Sequence, residues 1–154
     1  MAGLAADEKG VRLACGSCGQ VNRVPWSHVG ERGTCGKCQA ALPAVDAPVE
    51  VPSDAAYRAM IEGSSLPILV DYWAPWCGPC RFMGPEIEKV AANRAGRLLV
   101  AKVNTEALPA VGEREGILSI PTIAVFERGH RLIHTAGARP AADIEAFVAE
   151  EVDL

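Results

Sequence analysis

The sequence predicts an α/β domain of order βαβαβαββα, preceded by a small cysteine-rich segment that lacks a hydrophobic core of its own. Residues 67–73 (PILVDYW) and 98–104 (LLVAKVN) are near-continuous apolar runs, the pattern of strands covered on both faces. Segments with helical punctuation alternate with them. Ahead of residue 47 the pattern is different: Gly10, Gly16, Gly19, Gly30, Gly33 and Gly36 interrupt the chain and no long apolar periodicity appears.

The elements follow in order. A short strand is expected at 49–51 and a helix at 53–62, which Ser53 or Asp54 can cap. The run 67–73 is the first buried strand. A helix is expected over 77–93, with Phe82, Ile87 and Val90 inward, Pro85 kinking it and Gly96 as its stop. The strand 98–104 comes next, then a short helix at 108–115 and a strand at 122–127. A turn at Arg128-Gly129-His130 leads into a strand at 132–135. The last helix, 140–152, places Ile144, Phe147 and Val148 on one face. Residues 42–48 (LPAVDAP) read as a stiff, proline-bearing linker, which sets a domain boundary between residues 46 and 47.

At 154 residues and 49% apolar, the chain is long enough for one main globular domain. A formal charge of −4 offers no broad attraction to nucleic acid or to an anionic membrane. Residues 1–10 lack the basic and apolar regions of a secretory signal, so export is not expected. No apolar run approaches the roughly 20 residues that span a bilayer.

All six cysteines fall into Cys-x-x-Cys pairs: Cys15/Cys18, Cys35/Cys38 and Cys77/Cys80. Sixteen residues separate Cys18 from Cys35, the spacing of a four-cysteine zinc site. Zinc takes four ligands in a tetrahedron, and four thiolates leave no open position, so the expected role is structural. Zinc binding in small fingers contributes roughly 10–16 kcal/mol, enough to fold a segment without a core. Gly16, Gly19 and Gly36 allow the tight turns of such a site. His28 is surplus to the ligand set and reads as a surface residue, as do His130 and His134.

The third pair sits elsewhere. Cys77 follows a buried strand and opens a helix, beside unsatisfied N–H groups and the positive end of the helix dipole, a placement that favours thiolate. Cys77 can attack a disulfide, and Cys80, one turn along, can resolve the mixed disulfide. Asp71, inside an apolar strand, is costly to bury charged, so its carboxyl should titrate high enough to serve in proton transfer.

Trp76-Cys-Gly-Pro-Cys80, after Val70-Asp-Tyr-Trp-Ala-Pro75, resembles the active-site segment of the thioredoxin family. The resemblance extends over residues 49–154, through Ala101-Lys-Val-Asn104, Ser119-Ile-Pro-Thr122 and Gly137. With a four-cysteine segment in front, the chain is similar to the thioredoxin 2 type of that family. It implies a central mixed sheet flanked by helices, preceded by a zinc-ribbon-like domain, with residues 1–46 and 47–154 as the two units. The implied activity is reduction of protein disulfides by the Cys77/Cys80 dithiol, recharged by an NADPH-dependent thioredoxin reductase. Asp71 would exchange the proton of Cys80, with Lys102 as its charge partner. Pro121 would be cis, and Trp76, Gly78, Pro79, Ile120, Pro121 and Gly137 would form the substrate groove. A monomer in the cytoplasm, one structural zinc held by Cys15, Cys18, Cys35 and Cys38, and no bound organic cofactor complete the expectation.

Pro79 favours a reductant over an oxidant or isomerase, whose relatives usually carry His there. Leu118 stands where this subfamily commonly has Arg, which makes the rim more apolar and points to a different choice of partner. The competing reading is a zinc-dependent, redox-regulated chaperone or binding protein, in which the N-terminal thiols are the sensor. A nucleic-acid-binding ribbon is disfavoured. Lys9, Arg12, Arg23, Arg32 and Lys37 against Asp7, Glu8 and Glu31 leave a balance of only +2.

Overall fold

The computed structural model describes residues 3–154. A two-stranded antiparallel sheet of β1 (Gly10–Ala14) and β2 (Val21–Pro25) opens the chain, followed by a single 3-10 turn at Trp26–His28. The main domain then runs β3 (Val49–Glu50), α1 (Asp54–Gly63), β4 (Ile68–Trp73), α2 (Gly78–Asn93), β5 (Leu99–Asn104), α3 (Pro109–Arg114), β6 (Thr122–Glu127), β7 (His130–Ala136) and α4 (Ala141–Ala149). This is the expected order. Ser53 caps α1, its hydroxyl accepting the N–H of Ala56 at 3.1 Å.

The sheet order is β3-β5-β4-β6-β7, with the first three strands parallel and the last two antiparallel. Strand β4 is therefore central. Its residues alternate between the two faces, as the period of two requires. Ile68, Val70 and Tyr72 pack in one core with Tyr57 and Met60 of α1 and Val111 of α3. Leu69 packs in the other with Met83, Ile87 and Val90 of α2 and Ile144 and Val148 of α4. By the same alternation Asp71 shares that second face, the one α2 covers.

Three expectations change. Phe82 is 68% exposed; the inward stripe of α2 is Met83, Ile87, Val90 and Ala91, a spacing of i, i+4, i+7 and i+8 from which Phe82 is rotated by one residue. The cysteine-rich segment contains strands that sequence reading passed over, because each offers only two or three alternating apolar residues between charges. Most important, that segment has no separate core but is not detached either: Val11, Leu13, Val24, Trp26, Val29, Leu42 and Val45 are buried in the same cluster as Met60 and Ile61 of α1. Leu42 and Val45 also mean that residues 42–48 lie packed against the core and do not hang free as a tether. At the opposite edge, Leu4 bridges to Val49 in parallel, its N–H donating to the carbonyl of Pro48 at 2.7 Å.

Candidate functional site

Two sites emerge from the cysteine pairs. In the first, Cys15-x-x-Cys18 and Cys35-x-x-Cys38 form two knuckles with one hydrogen-bond pattern. The N–H of Gly19 donates to the carbonyl of Cys15 at 2.9 Å, and that of Gln39 to Cys35 at 3.0 Å. The N–H groups of Cys15 and Cys35 return to the carbonyls of Gln20 and Ala40, each at 2.8 Å. Each knuckle ends in a left-handed residue, Gly19 at φ 78° and Gln39 at φ 69°. Of the glycines expected to allow these turns, Gly19 has the positive φ, while Gly16 and Gly36 do not.

The knuckles bring the four sulfurs within 4.8 Å of one another. Cys15 Sγ lies 3.6 Å from Cys38 Sγ, and Cys18 Sγ 3.7 Å from Cys35 Sγ. Bonds of about 2.3 Å from zinc to sulfur give a tetrahedral edge of roughly 3.8 Å, so the cluster has the dimensions of a four-thiolate zinc site. Donors surround the buried pair. Cys35 Sγ accepts from the N–H of Lys37 at 3.4 Å and from the side-chain amide of Asn22 at 3.5 Å. Backbone N–H groups, that of Cys38 foremost, then Asn22, lower the Cys35 thiol to about 6. Cys15 is lowered by the N–H groups of Cys18 and Ser17. Asn22 also accepts the N–H of Gly36 at 3.0 Å, joining β2 to the second knuckle. Sequence reading missed it, since nothing in its spacing marks a residue that supports a ligand. His28 is exposed and pairs with Glu31 at 2.6 Å, away from the cluster.

In the second site, Cys77 and Cys80 form a disulfide with Cα atoms 5.3 Å apart. Cys77 is the N-cap of α2, and its sulfur accepts the N–H of Cys80 at 3.2 Å. In this first turn Pro79 has no N–H and the N–H of Cys77 donates to the carbonyl of Ala74 at 3.1 Å, so the sulfur at the positive end of the helix takes its hydrogen bond from Cys80. Gly78 and Pro79 are exposed beside it, and Trp76 is 68% exposed. The peptide bond from Ile120 to Pro121 is cis, and the carbonyl of Ile120 lies 3.9 Å from Cys77 Sγ. Gly137 closes this side, its N–H donating to the carbonyl of Pro121 at 2.9 Å.

A groove runs from this point along Trp76, Ile120, Ser119, Leu118, Ile117 and Pro109. Leu118 is 99% exposed on its rim. On β4, Asp71 is 1% exposed and its Oδ1 has no hydrogen-bond partner among the described residues. Burial pushes its carboxyl up to about 7; the charge of Lys102 pulls against this and that of Glu50 adds to it. Lys102 is the in-register neighbour of Asp71 on β5, with Nζ 4.7 Å from the centre of the Trp73 ring. His130 and His134 are exposed on β7.

The thioredoxin family model matches residues 47–150, and the model for the N-terminal domain of thioredoxin 2 matches residues 14–40. Thioredoxin C-3 of Corynebacterium nephridii is 31% identical over 140 residues, 91% of this chain and 94% of that protein. Thioredoxin 1 of Synechococcus elongatus is 43% identical over 88 residues, 57% of this chain and 82% of that protein. Among solved structures, thioredoxin from Malassezia sympodialis superposes with a TM-score of 0.62 at 26% identity, covering 70% of this chain and 92% of that one. With a mixed five-stranded sheet, a cysteine pair at the start of α2 and a zinc-ribbon domain in front, this chain belongs to the thioredoxin family and is a thiol–disulfide oxidoreductase that reduces protein disulfides.

Proposed function

We propose that Cys77 is the nucleophile and Cys80 the resolving thiol. In the reduced protein the Cys77 thiolate attacks one sulfur of a substrate disulfide, forming a mixed disulfide and expelling the other sulfur as thiolate. Cys80 then gives its proton to Asp71, attacks Cys77 Sγ and releases the second substrate sulfur. The substrate gains two electrons and the enzyme keeps the disulfide between Cys77 and Cys80. The observation that carries this assignment is the place of Cys77 as N-cap of α2, with its sulfur on the N–H of Cys80 at 3.2 Å. For Cys80 the base is Asp71, buried on the face of the sheet that α2 covers. Lys102 limits the cost of ionising that carboxylate.

Trp76, Gly78, Pro79, Ile120, Pro121 and Gly137 form the surface on which an extended substrate segment lies, with the Ile120 carbonyl open to pair with its backbone. The groove beyond, ending at Leu118, takes an apolar side chain flanking the substrate cysteine. Cys15, Cys18, Cys35 and Cys38 hold one zinc ion, which supplies cross-linking of the two knuckles and takes no part in the redox step. Residues 1–46 form the metal domain and 47–154 the redox domain. An NADPH-dependent thioredoxin reductase recharges the dithiol, and the protein acts as a monomer in the cytoplasm.

The test is dithiothreitol-coupled reduction of insulin. Cys77→Ser abolishes turnover, whereas Cys80→Ser stalls at the mixed disulfide, trapped and identified by mass spectrometry. Full activity in Cys77→Ser would refute the assignment.

A further inference from the structure

A cavity of about 290 Å³ opens beside Cys80, walled by Glu50 of β3, Trp73 of β4, Lys102 of β5, and Arg81 and Glu88 of α2. Glu50 stands in register with Lys102, and Lys102 with Asp71. Three ionisable side chains thus occupy one lateral row of the sheet, on one face, roughly 5 Å apart strand to strand. A single cation separates two carboxylates. The next position in the row, on β6, is Ile123, which carries no charge. From α2, Arg81 and Glu88 bring opposite charges that offset each other at the cavity.

Glu50 is half-buried and closely held. Its N–H donates to the carbonyl of Leu4 at 2.9 Å, so the chain at Leu4 runs beside it along the edge of the sheet. Gly3 also lines the cavity, and a Cβ there would lie 2.9 Å from Glu50 Cγ and 3.1 Å from Oε1. A Cβ at residue 3 would also lie 2.5 Å from the carbonyl oxygen of Pro48, so glycine there leaves room both for that backbone and for the carboxylate. Lys102 makes no ion pair within 4 Å among the described residues, its ammonium resting on Trp73, so neither carboxylate has sole claim to it.

We propose that Glu50 is a positioning residue for the proton step: by sharing Lys102 with Asp71, it sets the pH range in which Asp71 exchanges its proton with Cys80. This rests on the reading of Asp71 as the base for Cys80. In that step the S–H bond of Cys80 breaks, the proton passes to the Asp71 carboxylate, and the Cys80 sulfur bonds to Cys77 as the substrate thiolate leaves. Glu50 neither gains nor loses the proton; its negative charge opposes the ionisation of Asp71, in the same sense as burial. Without it, Lys102 would serve Asp71 alone and the carboxylate would ionise at lower pH.

The measurement is the titration of the Asp71 carboxyl by carbon NMR in the reduced full-length protein, alongside the pH profile of insulin reduction. Glu50→Gln lowers the Asp71 midpoint by about half a pH unit or more, and the acid limb of the profile moves with it. Glu50→Asp, which keeps the charge, restores the wild-type midpoint, and Lys102→Met moves it upward. A midpoint unmoved in Glu50→Gln, with the acid limb lost in Asp71→Asn, would overturn the role of Glu50 and leave Asp71 as the base. An acid limb intact in Asp71→Asn would remove the base itself, and the role of Glu50 with it.

Discussion

The carbonyl of Trp26 accepts the N–H of Ser65 at 3.1 Å, fastening the cysteine-rich segment to the chain just past the end of α1. The indole N–H of the same residue donates to the carbonyl of Asp7 at 3.2 Å, and the ring is 5% exposed. Trp26 thus joins three stretches of chain in one packed junction. Trp26→Ala opens a cavity there and lowers stability by about 3–5 kcal/mol, read from urea unfolding of the zinc-loaded protein. Because the core is continuous, unfolding followed at the ribbon and at the main sheet shows one transition.

Removing the metal acts on stability and spares chemistry. Cys15→Ser combined with Cys18→Ser takes zinc from about one ion per chain to none by elemental analysis and lowers the thermal midpoint. Reduction of insulin persists, since Cys77 and Cys80 lie on a different element. Loss of turnover on removal of zinc would favour the N-terminal thiols as a sensor.

Asp71 makes stability depend on pH in a calculable direction. Its folded carboxyl lies at about 7 against an ordinary 3.8, so between these values the unfolded chain releases a proton that the native protein retains. Ionisation therefore destabilises the fold increasingly from about pH 4 to about pH 7 and levels off above. Asp71→Asn gains on the order of 4 kcal/mol relative to wild type at pH 8 and little at pH 3, checked by urea unfolding at both.

Tyr57 links two partners across the lower core. Its hydroxyl lies 2.6 Å from that of Tyr72 and donates to Glu115 Oε2 at 2.7 Å. Burial holds both phenols neutral, pushing them well above their usual range. Tyr57→Phe strips both neighbours of a partner and costs about 1–3 kcal/mol, more than Tyr72→Phe, which leaves the bond to Glu115 intact.

Leu118→Arg tests the groove. The substitution removes apolar surface from the rim and raises KM about three- to tenfold for a disulfide peptide with a Leu or Phe beside its cysteine, with kcat little changed. Equal KM values would place the flanking side chain elsewhere.

The buried strands were legible because residues 68–73 and 99–104 carry almost uninterrupted apolar side chains, and a strand covered on both faces needs them. The clustering of Cys15, Cys18, Cys35 and Cys38 was legible from spacing alone. Phe82 was misplaced although the pattern contained the answer: Met83, Ile87, Val90 and Ala91 keep the helical period and Phe82 breaks it, so apolar character outweighed phase. The shared core around Trp26 was hidden for another reason. Val11, Leu13 and Val24 belong to strands too short to show a period, and the α1 residues of the same cluster are about thirty to fifty positions away. Glu50 was invisible on the same ground, since only the pairing of β3 with β5 sets it beside Lys102.

The bridge from Leu4 to Val49 has a bearing on how these molecules meet in a crowded solution. Strand β3 is only two residues long and lies at the rim of the sheet, where free N–H and C=O groups would invite a strand from another chain. Leu4 occupies that position, accepting from Glu50 and donating to Pro48. The residues leading into the zinc-ribbon domain thus close the sheet against edge-to-edge self-association, a protection that a chain shortened to begin at residue 47 would give up.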